Sequence, residues 1–142
     1  MPDMRKRFLP VVLLALCLAL TGCYDGLSKK RIVSLVHENH REIEQAIESG
    51  NAKDWNGKKG IRDVTLHDHG FVEFFCAGAG MGPNTSYYGF YYSPDGVPYD
   101  FWGGNEPLTE TKNGWKWQEE QGDNTFYTEQ ITDTFYYYEY HF

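Results

Sequence analysis

The residues able to do more than pack fall into a few groups. His67 and His69, two apart, would share one strand face and could offer two nitrogen ligands to a metal, with His141 or a carboxylate as a third. The same histidines near Cys76 make a thiol and imidazole pair conceivable. Period-two phasing, however, sets Cys76 with Val72 and Phe74 on the apolar face, where a thiol acts as a small hydrophobe. Glu73, Glu129 and Glu139 each fall on an expected strand, but no spacing pairs two of them for acid–base work. The largest group is aromatic. Tyr91, Trp102, Trp115, Trp117 and Tyr137 are candidate ligand-binding residues, because each joins a stacking face to a polar tip suited to a sugar ring, a peptide or a protein. Trp115 and Trp117 lie on one face of their strand, as a stacking platform requires. No catalytic residue and no cofactor is assigned from these patterns. His69 begins a turn, so the histidine pair falls short of a metal site. The run Gly78-Ala79-Gly80-Met81-Gly82 lacks the glycine spacing and the following helix of a phosphate loop, and stays open as a flexible or recognition loop or a bulge.

These side chains need elements to position them. Ser28 offers an N-cap, and Ile32, Leu35, Val36, Ile43, Ala46 and Ile47 recur as one apolar stripe before the stop at Ser49-Gly50-Asn51. The pattern predicts an amphipathic helix of about five turns, followed by a basic loop over Asn51 to Gly60. Strands are expected at Asp63 to Leu66, Phe71 to Cys76, Ser86 to Ser93, Leu108 to Lys112, Trp115 to Glu119, Thr125 to Ile131 and Thr134 to Phe142. Turns at Asp68-His69-Gly70, Pro94-Asp95-Gly96, Asn113-Gly114 and Gly122-Asp123-Asn124 punctuate them. Hairpin succession predicts an α+β domain: one N-terminal helix on an antiparallel meander of about six strands, by analogy cystatin-like. Alternation places Tyr87, Gly89 and Tyr91 opposite Tyr88, Phe90 and Tyr92, and Phe135, Tyr137, Glu139 and His141 opposite Tyr136, Tyr138, Tyr140 and Phe142. A single helix covers one face, so the other keeps rings in water unless the sheet curls or meets a partner.

Charge divides the chain. Residues 24 to 62 hold 8 basic and 6 acidic side chains, whereas residues 63 to 142 hold 2 and 13, together with 21 of the 24 aromatics. Such a body repels phosphate backbones, which excludes nucleic acid as a partner. Ahead of it, Met4 to Arg7 are basic and Phe8 to Leu20 form an apolar run of 13 residues, too short to span a bilayer and suited to a secretory leader. Leu20-Thr21-Gly22-Cys23 then resembles the lipobox of bacterial lipoproteins, which implies cleavage between Gly22 and Cys23 and acylation of the Cys23 sulfur. The expected organisation is a signal peptide over 1–22, a lipidated tether over 23–27 and one domain over 28–142. Acyl chains contribute about 0.8 kcal/mol per buried methylene, so two or three hold a protein on the outer face of the cell membrane. Because the tether is short, Lys29, Lys30, Arg31, Lys53, Lys58 and Lys59 are expected to face anionic lipid.

Tyr87-Tyr88-Gly89-Phe90-Tyr91-Tyr92-Ser93-Pro94-Asp95, Trp117-Gln118-Glu119-Glu120, Gly122-Asp123-Asn124-Thr125 and Phe135-Tyr136-Tyr137-Tyr138-Glu139 resemble segments of a family of small uncharacterised lipoproteins from Gram-positive gut bacteria. The likeness covers most of residues 60 to 142 and implies export and a compact domain, without an activity. The expected function is a lipid-anchored, non-catalytic module binding a glycan, peptide or envelope protein through the aromatic face or the Gly78 to Gly82 loop. The alternatives are an inhibitor or assembly factor of an envelope enzyme, and a small hydrolase.

Overall fold

A computed structural model describes residues 25–100 and 106–142. Its elements are β1 (Asp25–Gly26), α1 (Lys29–Glu48), β2 (Asp63–Leu66), β3 (Val72–Met81), β4 (Asn84–Tyr92), β5 (Thr109–Glu110), β6 (Trp115–Gln118), β7 (Thr125–Gln130) and β8 (Phe135–His141). The fold is α+β, with one α-helix among the described residues and an antiparallel sheet. Seven strands run in the order β1-β3-β4-β8-β7-β6-β5, and an eighth, β2, pairs with β3.

The helix follows its apolar stripe. Ile32, Leu35, Val36 and Ile43 are buried, and Ala46 and Ile47 pack at their margin. Ser28 is the N-cap residue, although its side chain makes no capping hydrogen bond. At the other end the Ser49, Gly50 and Asn51 amides donate to Gln45, Ile47 and Ala46, and Gly50 takes φ +77°, a conformation that other residues adopt only with strain. Contrary to the expected basic loop, Ala52–Trp55 form a 3-10 turn whose Ala52 and Trp55 enter the core.

Three further departures concern the sheet. First, β3 does not stop at Cys76. It bulges there and continues to Met81, with Gly78 to Met81 paired to β4, so the anticipated glycine loop reduces to the Gly82-Pro83 turn. Second, β1 and β2 sit end to end along the outer edge of β3, opposite Ala77–Gly78 and Val72–Phe75 respectively. Third, the strands are not a simple meander. After β4 the chain crosses to the far edge, returns through β5, β6 and β7, and places β8 against β4.

That crossover explains how both sheet faces are covered. On one face α1 packs over Phe74, Phe90, Phe135 and Tyr137, where Phe74 and Phe90 stack at 4.5 Å. On the other, Phe71, Tyr91, Phe126, Tyr136, Tyr138 and Tyr140 form a second cluster, covered by Tyr99 and Leu108 of the crossing segment and by Trp115, Trp117 and Phe142. Removing two such faces from water, at about 25 cal/mol per Å² of apolar area, supplies the main stabilisation of both layers. The alternation expected for β4 and β8 holds, but the second face is not an open aromatic surface: of the tyrosines described, only Tyr87 is an exposed large hydrophobic.

Candidate functional site

Tyr91 and Tyr137 do not present free rings. Tyr91 is 1% exposed in the second cluster, where the Tyr99 amide donates to its hydroxyl, which donates to Thr128 Oγ1 at 2.8 Å; Thr128 in turn donates to the Tyr137 carbonyl. Tyr137 is 1% exposed beneath α1, and its hydroxyl donates to Glu139 at 2.9 Å. Both were expected in a binding face; burial against the crossover and the helix makes them structural. Trp115 and Trp117 do share a face, half-buried and laid on the second cluster, with Trp115 6.1 Å from Tyr136. They clamp the sheet rather than stand free as a platform. Trp102, Gly22 and Cys23 lie outside the described residues.

The histidines are also separated. His67 Nε2 donates to Glu73 Oε2 at 3.1 Å and its ring meets Phe71, while His69 occupies the exposed β2–β3 turn at φ +61°. His141 is held instead by Ser86, at 2.8 Å, and by Glu139. Among the described residues no three His, Cys, Asp or Glu side chains are grouped to hold a metal. Cys76 is fully buried, and burial pushes its thiol up to about 12, against the opposing charge of Arg62, which removes it as a nucleophile.

The basic residues divide in a way the sequence did not show. Lys29 turns back onto the sheet, bridging Glu129 at 2.7 Å and lying 5.0 Å from the Tyr137 ring centre and 5.2 Å from that of Tyr127. Lys53 donates to the Val64 carbonyl, and Lys58 lies over Trp55. Three of the six expected to face lipid are therefore engaged within the protein. Lys30, Arg31 and Lys59 remain exposed and line an open cleft of about 690 Å³ beside α1.

The site with the strongest chemistry lies where the crossover leaves the second face uncovered. There the pairings Thr65↔Glu73, Asp63↔Phe75, Phe75↔Gly89, Gly89↔Tyr138 and Tyr87↔Tyr140 bring side chains of four strands to one side of the sheet. They line a cavity of about 240 Å³: Asp63 and Thr65 from β2, Glu73 and Phe75 from β3, Tyr87 from β4, Tyr138 and Tyr140 from β8. Asp63 and Tyr87 are exposed at the rim, whereas Glu73 at 9% and Tyr138 at 0% form the floor. Gly89 makes the floor possible, because a Cβ there would stand 2.1 Å from the Phe74 carbonyl and 2.7 Å from the Tyr138 hydroxyl.

The Tyr138 hydroxyl is buried and completes no hydrogen bond of good geometry. Burial first, then the charge of neighbouring Glu73, holds its pKa well above the ordinary tyrosine value, so the group stays a neutral hydroxyl. An unmet hydroxyl of this kind costs about 1–3 kcal/mol, which singles it out among buried polar groups. Glu73 was legible as a carboxylate on a strand, but its partners were not. The available signal was an acid at the centre of an apolar strand, with a histidine six residues before it.

Comparison with family models, with curated proteins and with solved structures found no match to this chain.

Proposed function

We propose that this protein is a lipid-anchored, non-catalytic binding module on the outer face of the cell membrane, and that it holds its ligand in the cavity between β2, β3, β4 and β8. One observation carries the binding site: a buried hydroxyl beside Glu73 that completes no hydrogen bond of good geometry, on the floor of a cavity walled by carboxylates and aromatic rings. Binding is favoured over catalysis because the groups present are poor reagents. Glu73 is tied to His67, Asp63 stands at the rim beside Thr65, and the Tyr138 hydroxyl is held protonated. The anchor is supported by the basic and apolar leader and by Leu20-Thr21-Gly22-Cys23. Among the described residues no helix is long and apolar enough to cross a membrane. The helix-on-sheet arrangement keeps its analogy to cystatin-like modules, which often bind or inhibit other proteins, at the level of fold alone.

Thr65→Tyr would fill the cavity from a half-buried strand position that tolerates an aromatic residue. On combined glycan and peptide arrays, the full-length protein should retain a defined set of ligands and Thr65→Tyr should lose them with its circular dichroism unchanged. Retention that survives the filling would place binding elsewhere. For the anchor, Cys23→Ala should abolish incorporation of a labelled fatty acid and release the protein from membranes; labelling that persists would refute acylation at Cys23.

A further inference from the structure

The same cavity restricts which ligand it accepts, and this step rests on the binding role proposed above. Every polar side chain lining it can accept a hydrogen bond: the Asp63 and Glu73 carboxylates and the hydroxyls of Thr65, Tyr87, Tyr138 and Tyr140. Among the described residues no lysine or arginine lines it, and the chain from residue 63 onward carries only 2 basic side chains against 13 acidic ones. Phe75, Tyr87, Tyr138 and Tyr140 supply ring surface, which attracts cations through the negative π face. At about 240 Å³ it lies below the roughly 300–1,000 Å³ of sites for drug-sized ligands. A pyranose lying flat needs an open ring face, and of the four rings only Tyr87 is exposed. An extended side chain entering end-on needs none.

We infer that the cavity takes a primary ammonium group, delivered as a lysine side chain of a peptide or protein. The stem would pass between Tyr87 and Phe75, and the three ammonium hydrogens would meet Asp63, Glu73 and the Tyr138 hydroxyl, whose contact with Glu73 is otherwise no hydrogen bond of good geometry. A quaternary ammonium could use the rings but has no hydrogen to donate. A primary ammonium uses both.

The test is calorimetric titration of the full-length protein in detergent micelles with four probes: a capped glycine–lysine–glycine peptide, the same peptide acetylated on the lysine nitrogen, choline and methyl glucoside. The lysine peptide should bind, choline at least tenfold more weakly, and the two uncharged probes not measurably. Glu73→Gln and Asp63→Asn should each weaken the lysine peptide about tenfold or more, the scale of one hydrogen bond to a charged partner. Tyr138→Phe, which removes a hydroxyl that completes no hydrogen bond of good geometry and so spares the fold, should weaken it severalfold. Choline binding as tightly as the lysine peptide would overturn the donor requirement. Glucoside binding in place of lysine, or lysine binding indifferent to Glu73→Gln, would overturn the cation assignment. Failure of all four probes would overturn it too, and the cavity would then stand as a binding site only if Thr65→Tyr abolishes retention on the arrays.

Discussion

Replacing Tyr138 by phenylalanine should make the protein more stable, a sign opposite to that expected for most buried tyrosines. The ring remains, so its contacts with Tyr140, at 4.6 Å between centres, and with Tyr91, at 6.5 Å, are kept. What leaves is an oxygen beside Glu73 that completes no hydrogen bond of good geometry, on the floor of an existing cavity, so no new enclosed void forms. The penalty relieved is about 1–3 kcal/mol; allowing for lost dispersion contacts, a net gain of about 1 kcal/mol follows, or about 4 °C in Tm for a domain of this size. Two other tyrosines on the same face are internal controls. The Tyr136 hydroxyl donates to the Gly96 carbonyl at 2.7 Å and pins the crossover, so Tyr136→Phe should cost about 1 kcal/mol. Tyr91→Phe would leave the Tyr99 amide without its acceptor and take one hydrogen bond from Thr128, which still donates to the Tyr137 carbonyl, at about 1–3 kcal/mol. Urea unfolding followed by tryptophan fluorescence, with the three variants side by side, measures all three. If Tyr138→Phe costs as much as Tyr136→Phe, the hydroxyl has an internal partner and the cavity loses its ligand-seeking group.

Other perturbations test the remaining layers. Cys76, with its thiol pushed up to about 12, should resist iodoacetamide at pH 8 in the folded protein and react on unfolding, as peptide mass spectrometry would show; rapid labelling in the native state would contradict the burial. Lys29→Ala removes a partly exposed ion pair and two ring contacts, for about 1 kcal/mol. Burial alone would raise the pKa of Glu129, but hydrogen bonds from Lys29 and Tyr127 outweigh it and hold the carboxyl below its ordinary value. Its contribution is therefore present above the ordinary carboxylate pKa and is lost as pH falls through the lowered one. The Lys29→Ala deficit in urea melts should shrink in acid, and a deficit that grows there would refute the ion pair's role. Trp115→Ala should cost about 2 kcal/mol by exposing Tyr136, visible as a lower urea midpoint, whereas an unchanged midpoint would show the ring to be dispensable to the second cluster.

Much of this arrangement was legible because periodicity is local. The stripe from Ile32 to Ile47 implied α1, and alternation at 87–92 and 135–142 sorted the tyrosines correctly between two faces. What periodicity cannot convey is which strands become neighbours. Turn signals at Asn113-Gly114 and Gly122-Asp123-Asn124 mark the hairpins from β5 to β7, but the pairing of β4 with β8 depends on contacts some fifty residues apart, as between Ser86 and His141. Without that pairing the crossover had no known position, so Tyr91 and Tyr137 appeared available when they were covered. Glycine misled in a related way. Gly78 and Gly80 resemble a loop by composition, yet they are strand residues in close contact with β4, where a side chain at Gly80 would strike the Asn84 carbonyl at 1.9 Å. Trp55 was hidden for the opposite reason: a lone aromatic in a basic stretch carries no period, and only the turn at Ala52–Trp55 delivers it to the core. The cavity shares both difficulties, since Glu73, Tyr87 and Tyr138 meet only through the β3–β4–β8 register.

The claim that this register builds a binding cavity is tested most directly by fluorotyrosine NMR of the full-length protein, which has 11 tyrosines to report on, during titration with the lysine peptide. Resonances of Tyr87, Tyr138 and Tyr140 should move together and saturate, while those of Tyr91 and Tyr136 under the crossover stay fixed. Movement elsewhere with Tyr138 unperturbed would contradict the account.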